Sequence, residues 1–242
     1  MLNRIRQSQY IRHVATLVTG NVIAQAISVG ASPILTRLYS PESFAALALF
    51  TAIVSSISPG VCGRYELAIV VAKNEKESRL LLVISLWIAA FISVLMFLII
   101  LGGFVPIQRF LNANSLGAWL LLTPLFLFVT AMLTALKYYA NSQNNYKILS
   151  RISIVKVILT VIVSLTLGWY GWQTKGLIIS NLLAPLIASV YLFYFFRFDM
   201  RATVWRWSGY HMRLVRYYKD FPIYSASTGF LDGITVAMPI FF

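Results

Sequence analysis

Apolar residues come in seven long runs, at 14–35, 44–72, 80–101, 116–136, 148–169, 177–196 and 221–242, with short polar or charged segments between them. A helix needs about 20 apolar residues to cross a bilayer core of about 30 Å. The first six runs therefore predict transmembrane helices, and the seventh opens another that stops at the last residue. The run at 44–72 is long for one crossing, and Pro59-Gly60 near its middle predicts a kink. The stretch 197–219 is polar, basic and aromatic, as expected of an interfacial amphipathic segment. The predicted fold class is all-α, a polytopic membrane helical bundle with one six-helix lobe plus the start of a seventh transmembrane helix. Its parts are a basic tail (1–13), the lobe (14–196), a basic linker (197–219) and an incomplete seventh segment (220–242).

Arg4, Arg6 and Arg12 ahead of the first run resemble the head of a signal peptide. The run is too long for one, no small-residue cleavage site closes it, and more spans follow. Within it, Gly20, Ala24, Ser28 and Ser32 recur every four residues, as do Ala48, Ala52, Ser56 and Gly60 in the second run. That spacing puts each set on one helix face, where small side chains let backbones approach closely. These residues read as structural.

Composition agrees with the pattern. Of 242 residues, 59% are hydrophobic and 11% charged, against roughly a quarter charged in soluble domains. A soluble enzyme is excluded. The net charge of +13 would suggest nucleic-acid binding in a soluble protein, but the basic residues are distributed by loop. Sixteen lie in segments on the side of the N-terminus, among them Lys73, Lys76, Lys137, Lys147, Arg151 and Lys156. The opposite loops carry only Arg37, Arg109 and Lys175, and Arg64 falls inside a span. This asymmetry predicts a cytoplasmic N-terminus and needs no nucleic acid. Cys62 stands alone, and His13 and His211 are the only histidines, too few for a disulfide or most metal sites.

Catalytic chemistry has little to work with. The acids are Glu42, Glu66, Glu75, Glu77, Asp199, Asp220 and Asp232, and no Asp-x-Asp pair, P-loop, Gly-x-Ser-x-Gly or His-Glu-x-x-His occurs. No catalytic residue, metal or cofactor is expected. Charges inside spans usually face a cavity or a partner. Arg64, past the kink, fits a lipid diphosphate through its planar fork; it fits equally an interfacial arginine reaching headgroups, or a structural pair with an acid. Glu66, two residues on, points to another helix side. Asn21 and Gln25 share a face of the first span and serve either helix–helix hydrogen bonding or substrate contact, and Asn181 precedes Pro185 in the sixth. Asp232, eleven residues into the seventh run, either binds a coupling cation or proton or caps a break at Gly229 or Gly233. The candidate substrate residues are thus Arg64, Glu66, Asn21 and Gln25, with Asp232 for ion coupling.

The stretch Leu35-Thr36-Arg37-Leu38-Tyr39-Ser40-Pro41-Glu42-Ser43-Phe44 resembles the first outer turn of bacterial lipopolysaccharide, O-antigen and capsule flippases. Gly63-Arg64-Tyr65-Glu66-Leu67-Ala68-Ile69 resembles the end of their second helix, and Tyr218-Lys219-Asp220-Phe221-Pro222 the start of their seventh. These proteins belong to the multidrug/oligosaccharidyl-lipid/polysaccharide exporter (MOP) superfamily. Ala45 departs from the glycine usual after the phenylalanine of that first turn. The resemblance implies two six-helix lobes around a V-shaped cavity, and this chain matches only the N-terminal portion, as a truncated or partial product would. It implies transfer of an undecaprenyl-diphosphate-linked oligosaccharide across the bacterial inner membrane by alternating access, without ATP hydrolysis and driven by an ion gradient. Membrane lipids and other polysaccharide-assembly proteins are the implied partners. A drug/cation antiporter of the same superfamily would favour acidic cavity residues. A membrane polymerase or transferase would need catalytic groups on a large outer loop, whereas the outer loops here are short. A purely structural helical subunit is the remaining alternative.

Overall fold

The computed structural model describes residues 2–110, 117–197, 209–225, 228, 229, 231 and 235. Among these, every regular element is helical. In chain order they are α1 (Leu2–Leu38), α2 (Pro41–Val61), α3 (Tyr65–Val71), α4 (Glu75–Gly102), α5 (Phe104–Phe110) and a 3-10 segment (Gly117–Leu122). Then come α6 (Thr123–Ser142), α7 (Tyr146–Trp169), α8 (Gln173–Phe195), α9 (Gly209–Tyr217) and a π-helical turn (Phe221–Ser225). Six stretches are long and apolar enough to cross a membrane: Ala15–Leu38, Pro41–Val61, Glu75–Gly102, Gly117–Ser142, Tyr146–Trp169 and Gln173–Phe195. The chain is a multi-pass membrane protein with an all-α bundle.

The bundle is built on two layers of contact. One joins α4, α6, α3 and α2, and the other joins α1, α7 and α8, with α6 and α8 packing between them. The shared core holds Phe50, Ile69, Leu81, Leu127, Leu136, Tyr139 and Ile178, all fully buried. Phe50 meets Phe126 edge to face at 5.2 Å, and Tyr139 meets Phe196 at 5.0 Å. By contrast Val22, Val29, Phe91, Leu98 and Val190 are exposed, as lipid-facing side chains must be.

The first turn shows why its residues are the ones they are. Ser40 caps α2, its Oγ accepting from the Ser43 amide at 3.3 Å, and Pro41 follows where no amide donor is needed. Tyr39 turns inward to 3% exposure, and its hydroxyl donates to the Ser164 carbonyl at 2.6 Å. Two glycines make room: a Cβ at Gly168 would lie 2.9 Å from the Tyr39 ring, and one at Gly176 would lie 2.7 Å from its hydroxyl. Gln173 Oε1 accepts from the Ser40 amide at 3.1 Å and from Ser43 Oγ at 3.3 Å. The α1–α2 turn is thereby clasped to the α7–α8 turn.

The second apolar run departs from expectation. The run is not one helix to residue 72: α2, with Pro59 inside it, ends at Val61, and a separate α3 begins at Tyr65. Gly63 and Arg64 both take left-handed backbone, at φ 60° and 61°. Two consecutive left-handed residues cannot extend a right-handed helix, and the Gly63 amide closes the turn onto the Gly60 carbonyl at 2.9 Å. Arg64 consequently stands in the break between helices, not within a continuous span.

The small-residue stripes also divide. Gly20, Ala24 and Ala31 are buried against α7, while Ser28 and Ser32 are exposed. A strict four-residue spacing drifts around a helix of 3.6 residues per turn, so the packed face moves from 28 to 31. Asn181, expected to bond between helices or to substrate, instead donates to the Leu177 carbonyl of its own helix at 2.9 Å.

Beyond α8, the amphipathic α9 docks on α4 through buried His211 and Leu214. Tyr65 donates to the Val215 carbonyl at 3.1 Å, and Tyr218 donates to Glu77 at 3.2 Å. Burial, and then the Glu77 carboxylate, push the Tyr218 phenol above its usual range, which keeps it a donor. Lys73 sits 4.6 Å over the Tyr217 ring.

Candidate functional site

Three helices carry polar residues at helical spacing on surfaces a lipid-facing helix would keep apolar. On α1, Asn21, Gln25, Ser28 and Ser32 fall at offsets of four, seven and eleven, and all four are exposed. On α6, Thr130, Thr134, Lys137 and Asn141 follow the same offsets, and on α7 Ser153, Lys156 and Thr160 form a shorter row. Such stripes mark the faces of membrane helices turned toward water or toward another part of the protein.

Part of these stripes converges. A cavity of about 540 Å³ is lined by Leu17, Asn21, Thr134, Lys137, Tyr138, Asn141, Leu149 and Ser153, from α1, α6 and α7. Among the described residues no carboxylate lines it. Thr134 and Ser153 hydroxyls donate to their own helices, at 2.8 Å and 3.1 Å, which leaves their oxygens as acceptors. The remaining hydrogen-bonding capacity comes from Asn21, Asn141, Tyr138 and the Lys137 ammonium. Lys156 is half-buried in α7 and is not among the residues that line this cavity.

The charge count of the sequence groups both lysines with the cytoplasmic segments, although Lys156 already falls inside the fifth apolar run; the structure places Lys137 within a helix as well. Lys137 lies five residues before the end of α6, and Lys156 ten residues past the start of α7. Ten residues of helix rise about 15 Å, far deeper than a loop charge. The signal that could have revealed Lys137 is the polar period of Thr130, Thr134 and Asn141 around it. Removing these two of the sixteen basic residues on the N-terminal side leaves fourteen against three, so the charge asymmetry survives.

The four substrate candidates are not brought to one place. Asn21 lines the cavity; Gln25 lies one turn further along the exposed face of α1 but is not among the lining residues. Arg64 is half-buried at the N-cap of α3, and its Nε donates to the Ser225 carbonyl at 3.1 Å. A Cβ at Gly229 would fall onto the Arg64 guanidinium, 2.7 Å from Nε. The absence of a side chain at Gly229 thus seats the arginine. A non-glycine residue in the left-handed region costs roughly 1 kcal/mol or more and persists where its surroundings fix it; the Ser225 bond and the Gly229 seat do so here. Glu66 is 4% exposed with Oε2 lacking a hydrogen-bond partner among the described residues. It does not face the cavity that Asn21 lines. Asp232, the ion-coupling candidate, lies outside the described residues. Among the described residues, no group of three or more His, Cys, Asp or Glu side chains comes together to hold a metal ion.

The bundle matches solved transporters at low sequence identity. An outward-facing multidrug resistance MATE family transporter of the MOP superfamily aligns with a TM-score of 0.68 and 13% identity, over 93% of this chain and 52% of its own. A MOP superfamily transporter from Pyrococcus furiosus, whose reversed binding-pocket polarity suggests a different function, gives 0.69 and 14%, over 95% and 54%. A MATE protein in complex with MaD3S gives 0.65 and 15%, over 95% and 55%. The chain therefore spans about half the length of these structures. No curated protein matches the sequence. The model of a family described as polysaccharide biosynthesis protein matches residues 34–224, from the clasped first turn to the π-helical turn beyond α9. With a MOP-type fold and that match over most of its length, the chain belongs to the polysaccharide biosynthesis protein family.

Proposed function

We propose that this chain serves transport, without enzymatic chemistry, of an undecaprenyl-diphosphate-linked oligosaccharide across the bacterial inner membrane for lipopolysaccharide, O-antigen or capsule assembly. The observation that carries the reading is the family match over residues 34–224. The lysine-bearing cavity supports it, because a lipid-linked oligosaccharide presents a diphosphate and often acidic sugars. An ion gradient drives the cycle, Asp232 serves ion coupling, and the N-terminus is cytoplasmic, in line with the remaining charge asymmetry. Two of the structural relatives are MATE transporters, which keeps drug/cation antiport as the second reading. A cavity lined by a lysine and no described carboxylate disfavours a cationic cargo.

Two measurements test this. In a two-lobe transporter carrying this sequence, in cells lacking their own flippase, Arg64→Ala is expected to lower lipid-linked glycan export more than tenfold. Arg64→Lys retains the charge but loses the Nε bond to Ser225, and is expected to stay within a few-fold of wild type. Equal loss in both variants would make Arg64 a structural strap and remove it from substrate contact. Reporter fusions at 75 and 210 are expected to read cytoplasm, and one at 108 periplasm. The reversed pattern overturns the orientation.

A further inference from the structure

We propose that the groove between α4 and α9 is a site for one anionic phospholipid, with an acyl chain in the groove and the headgroup phosphate on Arg216. The site goes beyond the transport reading and does not depend on which cargo is carried.

The groove, about 480 Å³, is lined by Ile84, Trp87, Ile88 and Phe91 of α4 and by Met212 and Val215 of α9. On α4 the four residues fall at offsets of three, four and seven, which is one helix face. Trp87 and Phe91 are more than half exposed. The groove begins five residues past Arg79, the last charge of α4, and rises about 10 Å from Ile84 to Phe91. It therefore runs inward from the charged end of the span, along the direction of the lipid chains on that side.

The helix at the mouth of the groove supplies the charge. α9 lies level with the first turn of α4: Tyr218 donates to Glu77 at 3.2 Å, and Lys73 and Lys76 sit over the Tyr217 and Tyr210 rings at 4.6 Å and 5.5 Å. Arg216 is exposed and stands one turn along from Met212, on the groove side of α9. Among the described residues it makes no ion pair or hydrogen bond; the ion pair there is Arg79 with Glu75. Lys219, exposed just past the end of α9, adds a second cation, and Asp220 is the one acid between residues 209 and 225. An arginine fork matches phosphate oxygens.

One ligand satisfies both halves. A hydrocarbon chain alone leaves Arg216 unpaired, and a soluble anion leaves the groove empty; a phosphate carried on an acyl chain fills both. The lining side chains offer no hydroxyl, amide or carboxylate for sugars, which favours a phospholipid over a glycan carrier. Val215 lines the groove with its side chain, while its carbonyl accepts the Tyr65 hydroxyl at 3.1 Å. A lipid held there braces α9 against α4, beside the helix break at Arg64.

The test uses the purified full chain in detergent, titrated with dioctanoyl phosphatidylglycerol or dioctanoyl phosphatidylcholine and read by native mass spectrometry and thermal shift. Phosphatidylglycerol is expected to bind at least fivefold more tightly and to raise Tm further. Arg216→Gln is expected to remove that preference and Arg216→Lys to keep most of it. Met212→Trp, which fills the groove, is expected to weaken both lipids at least fivefold, and Arg151→Gln, at an exposed position of α7, to change neither. Met212 and Arg216 are exposed, so without lipid their variants are expected to melt within a few degrees of wild type; lost binding is then not unfolding. A chain-brominated phosphatidylglycerol is expected to quench tryptophan fluorescence less in Trp87→Phe than in wild type. Equal binding of the two lipids, or a preference that survives in Arg216→Gln, overturns the headgroup contact. Binding unchanged in Met212→Trp, or quenching unchanged in Trp87→Phe, overturns the groove. Displacement of phosphatidylglycerol by an equal concentration of farnesyl diphosphate overturns the phospholipid in favour of a prenyl carrier.

Discussion

Gly20→Leu is expected to detach α1 from the bundle, with loss of the folded protein from detergent extracts. The main packing partner of α1 is α7, and the buried residues on that face are small, Gly20, Ala24 and Ala31. At Gly20 the two helices touch through backbone: a Cβ there would lie 2.9 Å from Ser150 Cα and collide with the Ser150 side chain. Backbone cannot rotate away as a side-chain tip can, so the whole helix must shift. Overpacking of this kind costs about 1–3 kcal/mol for a modest insertion and more for a large one, and membrane helices have no hydrophobic force to restore the contact. Gly20→Ala is expected to fall between wild type and Gly20→Leu in thermal stability. Adding Ser150→Gly should recover part of the Gly20→Ala loss, since it removes the hydroxymethyl group in the way; a purely additive double mutant would show that the contact is not formed.

The second large effect is expected at Tyr39. Tyr39→Ala removes a nearly buried ring from between α7 and α8 and leaves a cavity where Gly168 and Gly176 supply no side chains. The expected loss is about 3–5 kcal/mol. Tyr39→Phe deletes only the hydroxyl that donates to the Ser164 carbonyl at 2.6 Å, and is expected to cost about 1 kcal/mol. Thermal unfolding in one detergent, run on both variants, checks the ordering. If Tyr39→Phe is as damaging as Tyr39→Ala, the hydrogen bond dominates and packing of the ring does not.

The helices are legible in the sequence because each apolar run matches a bilayer crossing, and the six candidate spans overlap the six predicted ones. The break at residues 62–64 is not, since a proline announces itself in a sequence while left-handed backbone at Arg64 does not. Arg64 stands out in the sequence as an unusual charge, but its partners, the Ser225 carbonyl and the bare backbone of Gly229, lie more than 160 residues away. No spacing rule spans that distance. Lys137 reads as a loop charge because it follows the fourth apolar run and the polar neighbours at Asn141–Lys147 look like the end of a helix, whereas Lys156 falls inside the fifth run. Only the fold shows α6 running on to Ser142 and α7 beginning at Tyr146.

The bond from Arg64 to Ser225 has an energetic corollary for any rocking of the chain beyond residue 221 against the first six spans. A hydrogen bond from a charged donor is worth about 1.5–3 kcal/mol. Made in one arrangement and broken in another, it multiplies their population ratio by roughly 13 to 160. The Arg64–Ser225 bond thus weights by that factor any arrangement that keeps residues 64 and 225 together over one that parts them.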